Sequence, residues 1–477
     1  CYRSRREVNA PKSLHPRRAR QLSIESTASG TTVNPPAPGP RTRLWGPDDR
    51  EIFSLAVPVL GSLCAGQLYV LVDTAIVGHL GQGPLAALGL AGTVISAALA
   101  MCNFLAYATT AYVGRTHAAG DLTAARDVAN HALWLSSGLG LIFVALGSAF
   151  GRPLLDLLSG GSEVAGIAHL YLRIAVFGVP FSLIAIAAQG YLRGVRDLKT
   201  PLIYLAGGNA LNVVLEIAFV YGFEWGLEGS AGATVLAQAV MGAGFITKLV
   251  REAGGLRPPA WGAMRPLLRA SSQLFVRTSA LYGSFVVVGS TLAHIGAASL
   301  AAHQVLFQLW IFLALVLDAV AIAGQVLVSR KLGAGEGAAA VASARRMIGW
   351  SVASGAVFAA VLLAFGGLLP RIFTGDAAVL ERVAAAWPVF ALMQPLNGAV
   401  FALDGILIGA GDSRYLMWSM LASAGVTIPL VLLSYAGGWG IAGVWLAVSA
   451  LILMRLLTIG LRFRSGRWVT GVNRGSG

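Results

Sequence analysis

Four side chains able to bind a proton or a small cation lie within long apolar stretches of the sequence. Asp73 is in the first stretch, and Asn209, Asn212 and Glu216 are in the fifth. Residues at i, i+3 and i+7 share one face of a helix, so the latter three point the same way. An ionised carboxylate is costly in apolar surroundings, and more so beside a second carboxylate. The pattern predicts that Asp73 and Glu216 take up H⁺ or Na⁺ with help from the two carboxamides.

The apolar stretches are long enough to cross a membrane. Of the 477 residues, 56% are hydrophobic and 12% are charged, which is about half the charged fraction of a soluble domain. A membrane-spanning helix needs about 20 apolar residues. The predicted spans are 53–79, 86–114, 127–150, 165–192, 200–222, 229–250, 266–295, 299–328, 345–367, 382–408, 415–435 and 439–463. We therefore expect an all-α integral membrane protein with twelve transmembrane helices.

Basic residues are divided unequally between the two sides of this arrangement. With the N-terminus in the cytoplasm, 29 of the 35 Lys and Arg residues lie on the cytoplasmic side and three on the other side. Cytoplasmic loops carry such an excess in membrane proteins. The distribution predicts that both termini are cytoplasmic, and it accounts for the net charge of +14 without a nucleic-acid partner.

The segment 1–47 differs from the rest of the chain because it is rich in Pro, Ser and Arg and lacks hydrophobic periodicity. Such a composition is typical of a disordered tail, here a basic cytoplasmic one. The alternative is an organellar transit peptide, since the segment is basic, contains Ser and has few acids. The first interpretation puts the protein in the plasma (cell inner) membrane, and the second puts it in an organellar membrane.

The sequence contains an internal repeat with an offset of 215 residues. His79–Ala87 lines up with His294–Ala302, and Pro180 lines up with Pro395. Six helices followed by six in the same orientation make two lobes related by an axis along the membrane normal. The predicted units after the tail are an N-lobe at 48–250, a cytoplasmic linker at 251–265, a C-lobe at 266–463 and a cytoplasmic C-terminal tail at 464–477.

The repeat separates the two acids from the second lobe. Asp73 and Glu216 each lie six residues from the outer end of their span, about 9 Å in depth. The positions 215 residues later are Val288 and Val431. The carboxyl pair thus belongs to the N-lobe alone. This is expected of a coupling site that breaks the symmetry between the two lobes.

Several motifs resemble the multidrug and toxic-compound extrusion (MATE) family over about residues 48–465. They are Pro58, Val72-Asp73-Thr74, Val77-Gly78, the region Ala86–Gly92 and Gly114-Arg115. Three more point to the DNA-damage-inducible-protein-F branch: Asn212–Glu216, Leu403-Asp404-Gly405 and Ile408–Asp412. The resemblance implies a two-lobe antiporter that exports organic, often cationic or amphipathic, compounds in exchange for H⁺ or Na⁺.

The resemblance also assigns roles to residues. It implies ion coupling at Asp73, Asn212 and Glu216, and helix bending at Pro58, where a proline removes a backbone hydrogen bond. The branch usually has Asp where this chain has Glu216, which leaves the choice between H⁺ and Na⁺ open. The expected partners are a small-molecule substrate and membrane lipids. We expect a monomer with no enzymatic activity, no cofactor and no bound metal apart from the coupling ion.

Four of the other charged residues within predicted spans have an expected role. Arg173 could neutralise either acid of the N-lobe, which is the structural alternative to ion coupling. Arg277 and Asp318 have the same predicted depth, so an ion pair between adjacent helices is expected, with a functional cation site as the alternative. Asp404 is near the inner end of its span, where a structural or gating role is expected.

The alternative function is a lipid-linked oligosaccharide or lipid-precursor flippase of related architecture. Such proteins tend to have a cationic central cavity, whereas the spans of this chain contain Arg173, Arg277 and Arg455 and the outer N-lobe is acidic. The sequence has no GxxxxGK[ST] phosphate loop, so direct use of ATP is not expected.

Overall fold

The computed structural model describes residues 47–160 and 162–470, and these residues are helical throughout apart from short connections. The first half contains α1 (Pro47–Gly78), α2 (Gln82–Met101), α3 (Phe104–Ala118), α4 (Leu122–Ser159), α5 (Val164–Ala175), α6 (Val179–Gly194), α7 (Lys199–Ile217) and α8 (Gly226–Ala253). The second half contains α9 (Trp261–Ile295), α10 (Ala297–Gly333), α11 (Gly337–Ala364), α12 (Ala377–Leu392), α13 (Gln394–Gly409), α14 (Ser413–Ala436), α15 (Gly440–Arg464) and α16 (Arg467–Thr470).

The prediction of twelve spans is confirmed. Within the described residues, eleven helical segments are long and apolar enough to cross a membrane, and α12 with α13 forms the twelfth span, bent by 50°. The predicted tail 1–47 lies outside the described residues except for its last residue, as does the end of the chain from 471. The connection between the halves, from α8 to α9, is shorter than the predicted linker 251–265.

Helix ends extend past the apolar stretches because caps, not hydropathy, end a helix. The span predicted at 127–150 is the centre of the longer helix α4. The Asp121 side chain accepts a hydrogen bond from the Ala124 N–H at the start of this helix, and Gly160 ends it with a φ of 64°. Capping carboxylates and left-handed glycines are common at these two positions.

Prolines break two equivalent spans at the same place. A 3₁₀ turn at Val176–Gly178 separates α5 from α6 just before Pro180. The bend between α12 and α13 at Met393 comes just before Pro395, the repeat partner of Pro180. Proline has no N–H to donate and its ring clashes with the preceding turn. The internal repeat is therefore visible in the shape of the helices as well as in the sequence.

We call the side of the bundle on which α1 begins the basic side, since most of the described Lys and Arg residues belong to it. The two halves meet there through ion pairs. Glu51 contacts Arg196 of the same half at 2.9 Å and Arg330 of the second half at 3.3 Å. Asp49 pairs with Arg346 of the second half at 2.7 Å. These bridges hold the start of α1 against α10 and α11.

Close backbone packing and hydrogen bonds also join the halves toward the basic side. Gln325 Nε2 donates to the Tyr107 carbonyl at 2.6 Å, and Arg115 Nη1 donates to the Gly409 carbonyl at 3.1 Å. A side chain at Gly333 would collide with the backbone of Arg115, 2.3 Å away. The halves are thus closed against each other on the basic side.

Candidate ion-coupling site

Asp73 and Glu216 lie side by side, as predicted. Helix α1 packs along α7, and α7 packs against α8. Asp73 of α1, Glu216 of α7 and Ser230 of α8 face the space between these helices. The carboxyl groups of Glu216 and Asp73 are near enough to influence each other electrostatically. Asp73 is 7% exposed and Glu216 is fully buried. Ser230 Oγ of α8 donates to Asp73 Oδ1 at 3.3 Å.

Three oxygen atoms in this space have no donor. Both carboxyl oxygens of Glu216 and Oδ1 of Asn212 are buried without a hydrogen-bond partner among the described residues. A buried acceptor left without a donor costs about 1–3 kcal/mol. A proton on a carboxyl group, or a hard cation bound by carboxylate and carbonyl oxygens, removes this cost. The residues present therefore fit either coupling ion.

Hydroxyl groups complete the site, and the sequence analysis did not include them. Asn212 Nδ2 donates to Thr234 Oγ1 at 3.1 Å, and the Tyr69 hydroxyl lies 3.3 Å from the same atom. Thr234 and Ser230 are one turn apart on α8, among apolar and small residues. This pair of hydroxyls at i and i+4 is the signal in the sequence that could have revealed them.

Asn209 lies apart from the carboxyl pair. Its Nδ2 donates to the Ala65 carbonyl at 3.0 Å, which ties α7 to α1. Two helical turns separate it from Glu216, about 10 Å along the axis, and its short side chain does not span that distance. Asn209, Asn212 and Glu216 do share one face of α7, but of the two asparagines only Asn212 is close enough to Thr234 and the acids to belong to the site.

Arg173 does not neutralise the pair. Its side chain is exposed, and no ion pair links it to Asp73, Glu216 or any other acid in the part of the chain that the structure describes. The structural alternative to ion coupling thus loses its expected cation.

The expected ion pair between Arg277 and Asp318 is wrong. Arg277 of α9 instead pairs with Asp404 of α13, and Arg455 of α15 pairs with the same carboxylate oxygen. Arg277 and Asp318 do lie on adjacent helices, since α9 packs against α10, but equal depth does not determine which carboxylate the guanidinium contacts. All three members of the Arg277–Asp404–Arg455 triad are buried. Asp404 thus ties three helices together, and its structural or gating role stays a prediction.

Asp318 faces a cavity between the halves. It lines a space of about 150 Å³ together with the triad, and a second space of about 100 Å³ that is also lined by Arg193 and Gln189. The two spaces share Asn103, Tyr107, Asp318 and Ile322. We call them together the central cavity.

The central cavity follows the repeat. Asn103 and Asp318 are 215 positions apart and line both spaces, while Gln189 and Asp404, also 215 apart, each line one. The cavity therefore lies on the axis that relates the halves. Its two sides differ in chemistry, with carboxamides in the first half where the second half has carboxylates.

Pro58 lies within an unbroken helix. α1 continues from Pro47 to Gly78, and Ser62 Oγ donates to the Pro58 carbonyl at 3.0 Å. The predicted bending at this residue stays a prediction.

The sequence profile of a known family, MatE, matches this chain twice, at residues 58–218 and 274–433. The chain is 31% identical over 436 residues to Protein DETOXIFICATION 44, chloroplastic, of Arabidopsis thaliana, which covers 88% of this chain and 83% of that protein. It is 28% identical to DNA damage-inducible protein F of Escherichia coli, with 88% of this chain and 94% of that protein covered. The double match confirms the internal repeat.

Solved structures share the fold. One is the outward-facing conformation of a multidrug resistance MATE family transporter of the MOP superfamily. The TM-score is 0.80 at 19% identity, over 90% of this chain and 97% of that chain. The predicted architecture of twelve helices is confirmed, and so is the resemblance from which the branch was inferred.

Proposed function

Because the chain belongs to the MATE family of membrane transporters, we propose that it exports an organic solute in exchange for H⁺ or Na⁺, and that Asp73 and Glu216 carry the coupling ion. The observation that carries this proposal is the group of unpartnered oxygens on Glu216 and Asn212 beside a second buried carboxyl group. A site of this kind is stable only when an ion or a proton occupies it.

Coupling follows from the dependence of helix packing on occupancy. When the ion leaves, two carboxylates share a buried space at the contact of α1, α7 and α8, and their repulsion favours an arrangement that separates or hydrates them. An ion shifts a conformational equilibrium only as far as it binds one state better than the other. We propose that the state closed on the basic side is the one that binds the ion from the opposite side.

The central cavity is the proposed compartment for the solute, because it lies between the halves and polar side chains from both halves line it. Arg193, Arg277 and Arg455 around it support the flippase alternative, for which a cationic cavity was expected. Asp318 and Asp404 offset most of that charge, and we therefore retain export of a small organic molecule, with a monomer as the functional unit. Chloroplastic relatives support an organellar membrane as the site of action.

The test is transport by purified protein in lipid vesicles with imposed gradients. We expect a proton or a sodium gradient to drive accumulation of at least one compound from a panel of fluorescent organic cations and anions. Asp156→Asn provides a matched control, since that acid is partly exposed and pairs with Arg152 on the surface. Transport of a lipid-linked precursor without response to either gradient would favour the flippase instead.

A further inference from the structure

Beside the contacts that close the halves on the basic side, a large cleft remains between α3 of the first half and α9 and the start of α14 of the second half, away from the carboxyl pair. Its volume is about 680 Å³. Four arginines line it, one from the first half and three from the second: Arg115, Arg265, Arg269 and Arg414. None of the described residues that line it is acidic. We call this space the arginine cleft.

The positive charge of the arginine cleft is not compensated within the described part of the chain. Arg265, Arg269 and Arg414 make no ion pair there. The neighbouring acid Asp412 is already paired with Arg462 at 2.6 Å. A general excess of arginine on this side does not explain why these three arginines lack acidic partners, because other arginines at the contact of the halves do have them.

Helix geometry directs two of these arginines into one place. Arg265 and Arg269 are four residues apart on α9, and Gln273 follows at the same spacing, so the three share one face. Gln273 Oε1 accepts a hydrogen bond from Ser413 Oγ at 2.7 Å, which holds α9 against the start of α14 beside Arg414. Like charges at i and i+4 destabilise a helix, and an anion bound between them would remove that cost.

Arg115 reaches the cleft from the other half and is held there. It donates to the Gly409 carbonyl, and its guanidinium lies over the Tyr112 ring at 5.8 Å. Gly411 has a φ of +77°, and a Cβ there would lie 2.4 Å from Arg115 Nη1. A glycine at this turn thus leaves room for the guanidinium at the edge of the cleft.

We propose that the arginine cleft binds a phosphate-bearing anion that bridges the two halves. Planar guanidinium groups bind phosphate oxygens in pairs, with more directional contacts than lysine can make. Such an anion could be the headgroup of an anionic phospholipid or a soluble phosphate compound. Because the arginines come from both halves, the bound anion stabilises the arrangement that is closed on the basic side. The site is independent of ion coupling at Asp73.

The test measures binding to the purified full-length protein. One arm uses phosphatidylglycerol in native mass spectrometry, and the other uses inorganic pyrophosphate in a thermal-shift titration. The test variant is Arg269→Gln with Arg414→Gln. Arg115 is left in place because it also bonds to Gly409. The control is Arg345→Gln, an exposed arginine of α11 outside the cleft.

We expect the double variant to weaken binding of at least one probe by about tenfold or more, as loss of two charge-assisted contacts implies, with the control unchanged. The variant Arg269→Lys with Arg414→Lys should bind with an affinity between those of the wild type and the double Gln variant. This comparison separates loss of charge from loss of guanidinium geometry. Loss of lipid binding alone identifies a headgroup site, and loss of pyrophosphate binding identifies a soluble anion. Equal affinity in the double variant and the wild type for both probes, or an equal loss in the control, would overturn the proposal.

Discussion

The two halves share one fold but treat buried charge in opposite ways. In the first half, Asp73 and Glu216 form a buried pair that has no cationic partner among the described residues. At the equivalent positions of the second half, Val288 is 1% exposed and Val431 is fully buried, and both pack in the core. The same helix topology therefore packs well with valine at these sites. The acids are not required by the fold, which is the strongest structural reason to give them a functional role.

A second contrast concerns the acids of the second half. Asp404 is buried as deeply as Asp73, but two arginines contact it. Its equivalent in the first half is Gln189, which accepts a hydrogen bond from Arg193 at 3.2 Å. The buried charge of Asp404 is thus compensated by two arginines, whereas the described part of the chain places no basic side chain in an ion pair with Asp73 or Glu216.

The largest effect is expected when the first half is made to resemble the second. The double substitution Asp73→Val with Glu216→Val should abolish gradient-driven transport, because no group remains to bind the coupling ion. Thermal stability should stay the same or rise, since replacing buried charged groups with apolar ones is often neutral or stabilising by about 1–4 kcal/mol.

Gradient-driven uptake into vesicles and the melting temperature of the purified protein measure the two effects separately. Asp156→Asn should change neither. A variant that melts as high as the wild type and still transports at the normal rate would remove the carboxyl pair from the mechanism. A variant that does not fold would instead show that the first half needs these acids structurally.

The opposite result is expected for Asp404→Asn. This change leaves Arg277 and Arg455 buried without their counter-charge, and breaking a buried ion pair from one side costs about 3–5 kcal/mol. We expect a lower melting temperature and poor yield of folded protein. Addition of Arg455→Met should recover part of the loss, because one uncompensated charge is then gone. Normal stability of Asp404→Asn alone would contradict the assignment of the triad as structural.

The contrast between the halves also shows what can be predicted from the sequence alone. Hydropathy located the spans, because a long apolar helix satisfies its own backbone hydrogen bonds and can therefore cross a membrane without pairing to another segment. The acids at Asp73 and Glu216 were recognisable because charge is rare at that depth, and the repeat assigned them to one half. These inferences need only position along the chain.

What could not be predicted depends on which side chains meet inside the bundle. Arg277 of α9 pairs with Asp404 of α13, beside Arg455 of α15, although α9 also packs against α10, and depth alone does not distinguish Asp404 from Asp318 as the partner. The arginine cleft likewise combines residues from both halves. The spacing of Ser230 and Thr234 on α8 is visible in the sequence, but their hydrogen bonds to Asp73 and Asn212 depend on tertiary contacts that periodicity does not encode.

The smallest effects are expected along α7, where two asparagines share a face but differ in their contacts. Asn209→Ala removes one hydrogen bond to the Ala65 carbonyl, which should lower stability by about 1 kcal/mol and leave transport intact. Asn212→Ala removes an oxygen from the ion site and the bond to Thr234. It should raise the ion concentration needed for half-maximal transport several-fold.

The two variants control for each other, because each removes one carboxamide from the same helix. Melting temperatures and transport rates over a range of proton and sodium concentrations would separate them. If Asn209→Ala shifted the ion dependence as much as Asn212→Ala, the site would extend two turns along α7, toward the basic side, beyond the carboxyl pair. If only the sodium dependence changes in Asn212→Ala, its carbonyl oxygen acts as a cation ligand, and Na⁺ rather than H⁺ is the coupling ion.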